Sequence, residues 1–202
     1  MTLDQLARTL VTRFPSGSRH LIAVAGAPGS GKSTSTEALA RLIGERAMVL
    51  PMDGFHHDNA WLDARGLRAR KGAPDTFDVD ALATTLRQVR QQQALSVPAF
   101  DRAIDAVVPD ALAIEPSHDL IFVEGNYVLA DAPPWSGLAP LFDARVMVEA
   151  DLETLRQRLI KRWRDLGLDE ATVTAKVEHN DLVNARWVIE HSQNLDYRLH
   201  NG

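Results

Sequence analysis

The chain has 202 residues, of which 45% are hydrophobic and 24% are charged, and its formal net charge is -5. This size and composition predict one soluble globular domain, spanning residues 1–202, and exclude a disordered chain. The negative charge disfavours a general nucleic-acid binder, because a phosphate backbone selects a basic surface. Since the chain contains no cysteine, disulfide scaffolds, zinc–thiolate sites and thiol catalysis are excluded.

The first segment predicts an amphipathic helix. Apolar residues recur at helical spacing from Leu3 to Phe14, and a Pro-Ser-Gly turn then ends the pattern. Charged residues such as Asp4 and Arg8 lie inside the apolar pattern. It is therefore neither a signal peptide nor a membrane span, and we expect a cytoplasmic protein without membrane insertion.

Short apolar segments alternate with amphipathic ones along the rest of the chain. We expect buried strands at 21–25, 47–53, 118–126 and 144–150, and further helices at 79–93, 152–166 and 170–189. This alternation is typical of an α/β domain with a mostly parallel central sheet flanked by helices. In such sheets, ligands bind at the carboxyl ends of the strands.

Two segments do not fit this alternation. Residues 54–78 are polar, basic and rich in glycine and proline, and this stretch is long for a plain connection. We therefore predict a functional loop there. Residues 96–116 have β-like, proline-bounded character, and we predict a β-hairpin flap.

The segment GAPGSGKS, Gly26 to Ser33, matches the pattern G-x-x-x-x-G-K-[ST] in full. It follows a predicted buried strand and opens a predicted helix, which is the context that the motif requires. Its glycines allow the backbone N–H groups to form an anion-binding nest at the helix N-terminus. We predict that a nucleoside triphosphate is bound by Gly26, Ala27, Pro28, Gly29, Ser30, Gly31, Lys32, Ser33 and Thr34.

Three residues of this segment have distinct expected roles. Lys32 can reach the β- and γ-phosphates, and the Ser33 hydroxyl can ligate Mg²⁺. Thr34 is expected beside the α-phosphate. The motif predicts ATP and Mg²⁺ as cofactors, but it does not identify the reaction.

Two carboxylates at predicted strand ends point to phosphoryl transfer. Asp53 ends the second strand and Glu124 the third, so both should emerge at the edge of the sheet that carries the phosphate-binding segment. One carboxylate can accept the proton of an attacking hydroxyl, and the other can hold Mg²⁺. We assign the base to Asp53 and the metal ligand to Glu124, and the reverse assignment remains open.

Five segments occur in the order seen in the phosphoribulokinase/uridine kinase superfamily, which the chain resembles from about residue 21 to 184. They are the phosphate loop, DGFH, KGAPDTFD, VPAFDR and VEGNY. Residues 53–82 look especially like bacterial type I pantothenate kinase, and the chain also resembles bacterial kinase-like proteins linked to fructose or other sugar transport. The resemblance implies a P-loop kinase that phosphorylates a hydroxyl of a small metabolite, with Asp53 as base.

A basic helix after the fourth strand has the position of a kinase lid, at residues 156–168. Arg158 and Arg162 lie four residues apart, on one helix face. We expect these two arginines to stabilise charge during transfer, as the resemblance also implies. A solvated basic helix face remains the alternative.

The acceptor is expected to contact residues next to the strand ends and on the flap. The candidates are Asp53, His56, Arg102, Asn126 and Tyr127. Alternatives remain for two of them: Arg102 can instead form a salt bridge within the flap, and Tyr127 can pack under the loop. Of the two adjacent histidines we favour His56, while His57 faces solvent.

The acceptor itself is not defined by these patterns. A sugar such as fructose, a pantothenate-like molecule and a nucleoside-like molecule all remain open, and the chain can be a monomer or a homodimer. The alternative function is a nucleotide-binding regulatory ATPase that accompanies a transporter and has little kinase activity. ATP consumption that depends on an acceptor would distinguish the kinase from this regulator.

Overall fold

The structure is a computed structural model and describes residues 1–91 and 94–201. Its strands are β1 His20–Gly26, β2 Ala47–Pro51, β3 Leu95–Asp101, β4 Ala106–Ile114, β5 Leu120–Glu124, β6 Ala144–Glu149 and β7 Tyr197–His200. Five of them form a parallel sheet in the order β2-β5-β1-β6-β7. The other two, β3 and β4, form an antiparallel hairpin. The predicted α/β class, the parallel sheet and the hairpin are confirmed.

The helices are α1 Leu3–Arg13, α2 Lys32–Ile43, α3 Asn59–Asp63, α4 Val79–Arg90, α5 Leu152–Asp165, α6 Glu170–Lys176 and α7 Leu182–His191. A π-helical turn, Val177–Asp181, joins α6 to α7. Several helices begin at a side chain that accepts a hydrogen bond from the first turn, as Thr2 does for α1 and Asp151 for α5. Within the described ranges, no helix is long and apolar enough to cross a membrane.

Strand β1 lies at the centre of the sheet and contributes to both cores. Leu21, Ala23 and Ala25 belong to the core cluster on one face. Ile22 and Val24 belong to the cluster on the opposite face, where α1 and α2 pack. Because successive side chains of a strand point to opposite faces, a continuous apolar run is what a sheet covered on both sides requires. Burial of each large aliphatic side chain contributes about 1.5–3 kcal/mol.

The structure differs from the predicted elements at four places. Strand β2 ends at Pro51, and Asp53 lies instead in a 3₁₀ turn, Met52–Phe55. The turn packs so closely on the hairpin that a Cβ on Gly54 would overlap the Pro98 carbonyl. The helix predicted over 79–93 ends at Arg90, and its last two residues lie outside the described ranges.

The other two differences lie in the C-terminal part of the chain. The helix predicted over 170–189 is interrupted by the π-helical turn. Strand β7 was not predicted, because it has only four residues, in which the charged and polar side chains of Arg198 and His200 leave no apolar run. It pairs with β6 at the edge of the sheet.

The parallel register places three strand ends side by side. Glu124, the last residue of β5, is the register partner of Pro51 in β2 and of Val24 in β1. The phosphate loop that follows β1 and the turn that follows β2 therefore emerge at the same edge of the sheet as Glu124. The site is built at this edge.

Candidate active site

A cleft of about 900 Å³ opens at this edge of the sheet. Six residues of the predicted phosphate loop line it: Pro28, Gly29, Gly31, Lys32, Ser33 and Thr34. The predicted acceptor and lid residues that line it are Asp53, His56, Arg102, Asn126 and Arg162. Tertiary folding thus brings together most of the side chains that the sequence nominates.

The phosphate loop has the backbone shape of an anion-binding nest. Gly29 and Gly31 have φ angles of +83° and +80°, in the left-handed region that favours glycine. Gly31 is the N-cap of α2 and makes no side-chain hydrogen bond to the first turn, so no cap competes with a ligand for those N–H groups. A triphosphate fits this loop. Gly26, Ala27 and Ser30 do not line the cleft, and the last two are buried behind it.

Glu124 contacts Lys32 and Ser33, the last two residues of the phosphate-binding motif. Its Oε1 accepts a hydrogen bond from the Ser33 hydroxyl at 3.2 Å and lies 3.5 Å from Lys32 Nζ. Only 8% of Glu124 is exposed. No cluster of three or more histidine, cysteine or acidic ligands occurs among the described residues. Two oxygen donors fit Mg²⁺, which keeps several waters and shares its remaining positions with substrate phosphates.

Asp53 enters the cleft from the 3₁₀ turn. Its Oδ2 accepts a hydrogen bond from Arg102 at 2.9 Å, across from the tip of the hairpin. Arg102 therefore does not pair with an acid of its own hairpin, which was the alternative expected from the sequence. Because its side chain is 63% exposed, this ion pair contributes little to stability and can exchange partners when a ligand enters.

His56 is fixed by stacking and by one hydrogen bond. Its ring lies 4.0 Å from the Phe77 ring and 4.8 Å from the Phe100 ring, centroid to centroid. Burial lowers the pKa of His56, although its contact with the Asp53 carbonyl acts in the opposite direction. Nδ1 lies 2.8 Å from that carbonyl and must donate to it, which leaves Nε2 of the neutral ring as an acceptor. His57 stacks on Trp61 instead.

Tyr127 does not line the cleft, so the expected contact with the acceptor is corrected. The side chain is fully buried, and its hydroxyl donates to the Gly72 carbonyl at 2.7 Å. It packs in an aromatic cluster with Phe77, Trp135 and Trp187. Burial raises the pKa of the Tyr127 hydroxyl. The residue supports the acceptor loop from below, which is the alternative that the sequence left open.

The two predicted lid arginines lie in different surroundings. Arg162 lines the cleft, and its pKa is lowered by burial and further by the charge of Arg102. Arg158 does not line the cleft. Its guanidinium donates to the backbone carbonyl of Asn201 at 2.8 Å and contacts the outside of the phosphate loop. The expectation that Arg158 faces the transferred phosphate is therefore corrected.

Two charged residues of the cleft wall, Lys71 and Asp105, were not among the candidate site residues. Lys71 donates to Asn59 at 2.8 Å and to Asp105 at 2.7 Å, and its ammonium lies over the Phe100 ring. Asp105 is held in the left-handed region at φ 51°. Lys71 belongs to a basic stretch of the chain. Its fixed position could not be predicted from that composition, because its partners Asn59 and Asp105 lie in other segments.

Asp181 is a further cleft residue that the sequence did not nominate. It lies at the end of the π-helical turn, is only 9% exposed, and accepts a hydrogen bond from Trp163 Nε1 at 2.6 Å. Burial raises the pKa of Asp181, while the Trp163 bond and the charge of Arg162 act in the opposite direction. π-Helical turns are frequent at functional sites, but no sequence pattern predicts them.

Replacing Asp181 by asparagine is expected to stabilise the protein at neutral pH. A carboxyl whose folded pKa is raised from 3.8 favours folding below that value, and the contribution is lost as the pH rises through the folded pKa. Asparagine carries no charge and can still accept from Trp163. Urea unfolding at pH 7 should show a free energy of unfolding that is higher by about 0.5–2 kcal/mol, which is the usual size for a single stabilising substitution. The gain should shrink towards pH 4. A variant less stable than the wild type at pH 7 would contradict this.

Comparison with known proteins assigns the chain to a family. The sequence model described as "Phosphoribulokinase / Uridine kinase family" matches residues 21–190. The protein belongs to this family. The kinase is 40% identical over 180 residues to YggC, an uncharacterized Escherichia coli (strain K12) protein, with 87% of the kinase and 75% of YggC covered.

Two further relatives carry functional names. A Schizosaccharomyces pombe protein provisionally named a uridine kinase is 34% identical over 198 residues, covering 92% of the kinase and 84% of the relative. A crystal structure of a provisionally named fructose transport system kinase from Silicibacter sp. TM1040 has a TM-score of 0.93 and 39% identity, covering 98% and 99% of the two chains. Streptomyces coelicolor pantothenate kinase is 33% identical, and the kinase spans only 50% of its length.

These relationships confirm the resemblance inferred from the sequence. The protein is an ATP-dependent kinase of the phosphoribulokinase/uridine kinase family, with a small-molecule substrate. The names of these relatives refer to different small molecules. Family membership therefore defines the reaction class and leaves the acceptor undefined.

Proposed function

We propose that this kinase transfers the γ-phosphate of ATP to a hydroxyl of a small metabolite, with Asp53 as the general base and with the assistance of Mg²⁺. The observation that carries the proposal is the shared cleft, in which the Asp53 carboxylate and the phosphate loop face the same space. The acceptor oxygen forms a bond to the γ-phosphorus, and the bond from that phosphorus to the ADP oxygen breaks. The hydroxyl proton passes to Asp53.

The residues around the loop have matching roles. The backbone N–H groups of the loop and the Lys32 ammonium bind the phosphates, and Arg162 supports the charge that develops during transfer. Mg²⁺, held by Ser33 and Glu124 when bound, neutralises phosphate charge. The ion pair with Lys32 holds the Glu124 carboxylate in place beside the Ser33 hydroxyl. The donor set supports Glu124 as metal ligand and Asp53 as base.

The acceptor would lie between the 3₁₀ turn and the hairpin. His56 presents a hydrogen-bond acceptor there and Arg102 presents a donor. Asn126 Oδ1, a further acceptor, is buried without a hydrogen-bond partner among the described residues. Segment 54–78 then acts as acceptor loop, 96–116 as flap and 156–168 as lid of one kinase domain. Hydroxylated metabolites fit these groups, including a sugar such as fructose, a pantothenate-like and a nucleoside-like molecule.

A coupled ADP-release assay over sugars, nucleosides, pantothenate, glycerate and vitamin precursors tests the proposal. We expect one acceptor class to give saturable turnover, with the phosphorylated product detected by mass spectrometry. Background ATP hydrolysis without acceptor should be slow, because the attacking hydroxyl is then missing. ATP consumption of equal rate with and without every acceptor would contradict the kinase proposal and favour a regulatory ATPase that accompanies a transporter.

A further inference from the structure

The outer side of the phosphate loop is held by two residues that are distant in sequence. Asn201 Nδ2 donates to the Ser30 carbonyl at 2.7 Å. Arg158 Nη1 donates to the Asn201 carbonyl at 2.8 Å, and it lies 3.4 Å from the Gly29 carbonyl and 3.5 Å from the Ser30 carbonyl. Two consecutive carbonyls of the loop therefore face donors on the side away from the cleft.

Close packing accompanies these hydrogen bonds. A Cβ on Gly31 would overlap the side-chain amide of Asn201. A Cβ on Gly29 would lie only 3.1 Å from Leu159 and 3.2 Å from the Leu155 carbonyl, both in α5. Asn201 is itself anchored to the sheet, because its backbone N–H donates to the Glu149 carbonyl at 2.8 Å. The loop is thus enclosed between helix α5 and the segment that follows β7.

We propose that Arg158 and Asn201 are positioning residues that orient the phosphate loop for ATP. In a planar peptide unit the N–H and C=O groups point in opposite directions, so the Ser30 carbonyl, held outwards by Asn201, holds the Gly31 N–H inwards. In the preceding unit, the Ser30 N–H donates to the Ala27 carbonyl at 3.0 Å within the loop. Donors fixed in this way need no reorganisation when phosphate arrives. The guanidinium also adds positive charge behind the loop, where it favours a bound anion without touching it.

The arrangement gives β7 a functional role that its position at the sheet edge does not suggest. Pairing of β7 with β6 carries the chain to Asn201, and α5 supplies Arg158 from the lid helix. The orientation of the loop therefore depends on contacts that form only when both β7 and α5 are packed in place. The proposal concerns ATP binding alone and does not require that any particular acceptor be correct.

Calorimetric ATP binding, measured without acceptor, tests the proposal separately from the phosphoryl-transfer function. Asn201→Leu keeps the branching at Cγ and removes the donor, and it should raise the Kd for ATP about 3- to 10-fold. Arg158→Gln removes a charged donor and should raise it about 10- to 100-fold. Arg158→Lys should give an intermediate value. In the double variant the Kd for ATP should rise by less than the product of the two single fold-changes, because the two residues contact each other.

Arg41→Gln is the matched control. Arg41 lies on α2, pairs with Glu37 at the protein surface and does not line the cleft, so the ATP affinity of this variant should equal that of the wild type. An unchanged Kd in both Asn201→Leu and Arg158→Lys would overturn the proposal. So would a loss of kcat in the Arg158 variants with an unchanged Kd for ATP, since that split indicates a direct action on the transferred phosphate. If Arg158→Gln fails to fold, the other two variants still decide the question.

Discussion

Asp53→Asn is expected to lower kcat by about 10²-fold or more while the Kd for ATP stays close to that of the wild type. Asparagine has nearly the same shape as aspartate, and its Oδ1 can still accept the hydrogen bond that Arg102 donates to Asp53 at 2.9 Å. The amide cannot take up the proton of an attacking hydroxyl. The change therefore removes proton acceptance and leaves the packing of the 3₁₀ turn intact.

Steady-state turnover with the acceptor found in the ADP-release assay, together with calorimetric ATP binding, measures this effect. Asp80→Asn is a suitable control, because Asp80 is an exposed residue in the first turn of α4 and does not line the cleft. It should leave kcat unchanged. If Asp53→Asn turns over at the wild-type rate, Asp53 is not the base.

Glu124→Gln is expected to weaken the apparent affinity for Mg²⁺ by about 10- to 100-fold and to lower kcat. The carboxylate lies within 3.5 Å of Lys32 and accepts from the Ser33 hydroxyl. A neutral amide keeps the size of the side chain and its Oε1 can still accept from Ser33, but it removes the charge that pairs with Lys32 and that would bind Mg²⁺. Because Glu124 is nearly buried, solvent cannot replace that charge.

Turnover as a function of Mg²⁺ concentration at constant ATP tests this expectation. Glu149→Gln is the matched control, since Glu149 also ends a strand of the sheet and its carboxylate pairs with Arg198 and His200. It should not alter the Mg²⁺ requirement. A shifted Mg²⁺ requirement in Asp53→Asn combined with an unshifted one in Glu124→Gln would mean that the two carboxylates have exchanged roles.

Most of the phosphate-binding half of the site could be predicted from the sequence. The motif is contiguous, so the torsions of Gly29 and Gly31 and the position of Lys32 depend on a single turn between β1 and α2. Glu124 could also be placed, because the carboxyl ends of parallel strands meet at one edge. Asp53 emerges at that edge although β2 ends two residues earlier than predicted, since the 3₁₀ turn follows the strand directly.

The acceptor half could be predicted only as a set of candidate residues. Arg102 meets Asp53 because the hairpin packs on the 3₁₀ turn, and neither segment specifies that contact by itself. Tyr127 follows the end of β5 as Asn126 does, yet its large ring is buried under the acceptor loop, where its hydroxyl donates to the Gly72 carbonyl. Asn126, the residue before it, lines the cleft.

The sequence by itself determined the fold class, the nucleotide-binding loop and the strand-end acids, because each depends on local periodicity or on residues close together in the chain. Only the tertiary structure decided that Arg158 faces away from the cleft, that Asp181 lines it, and that Asn201 reaches the phosphate loop. These outcomes depend on contacts between segments far apart in sequence, and such contacts form only when helices and strands pack. A local pattern cannot specify them, since the same residue types occur equally on solvated surfaces.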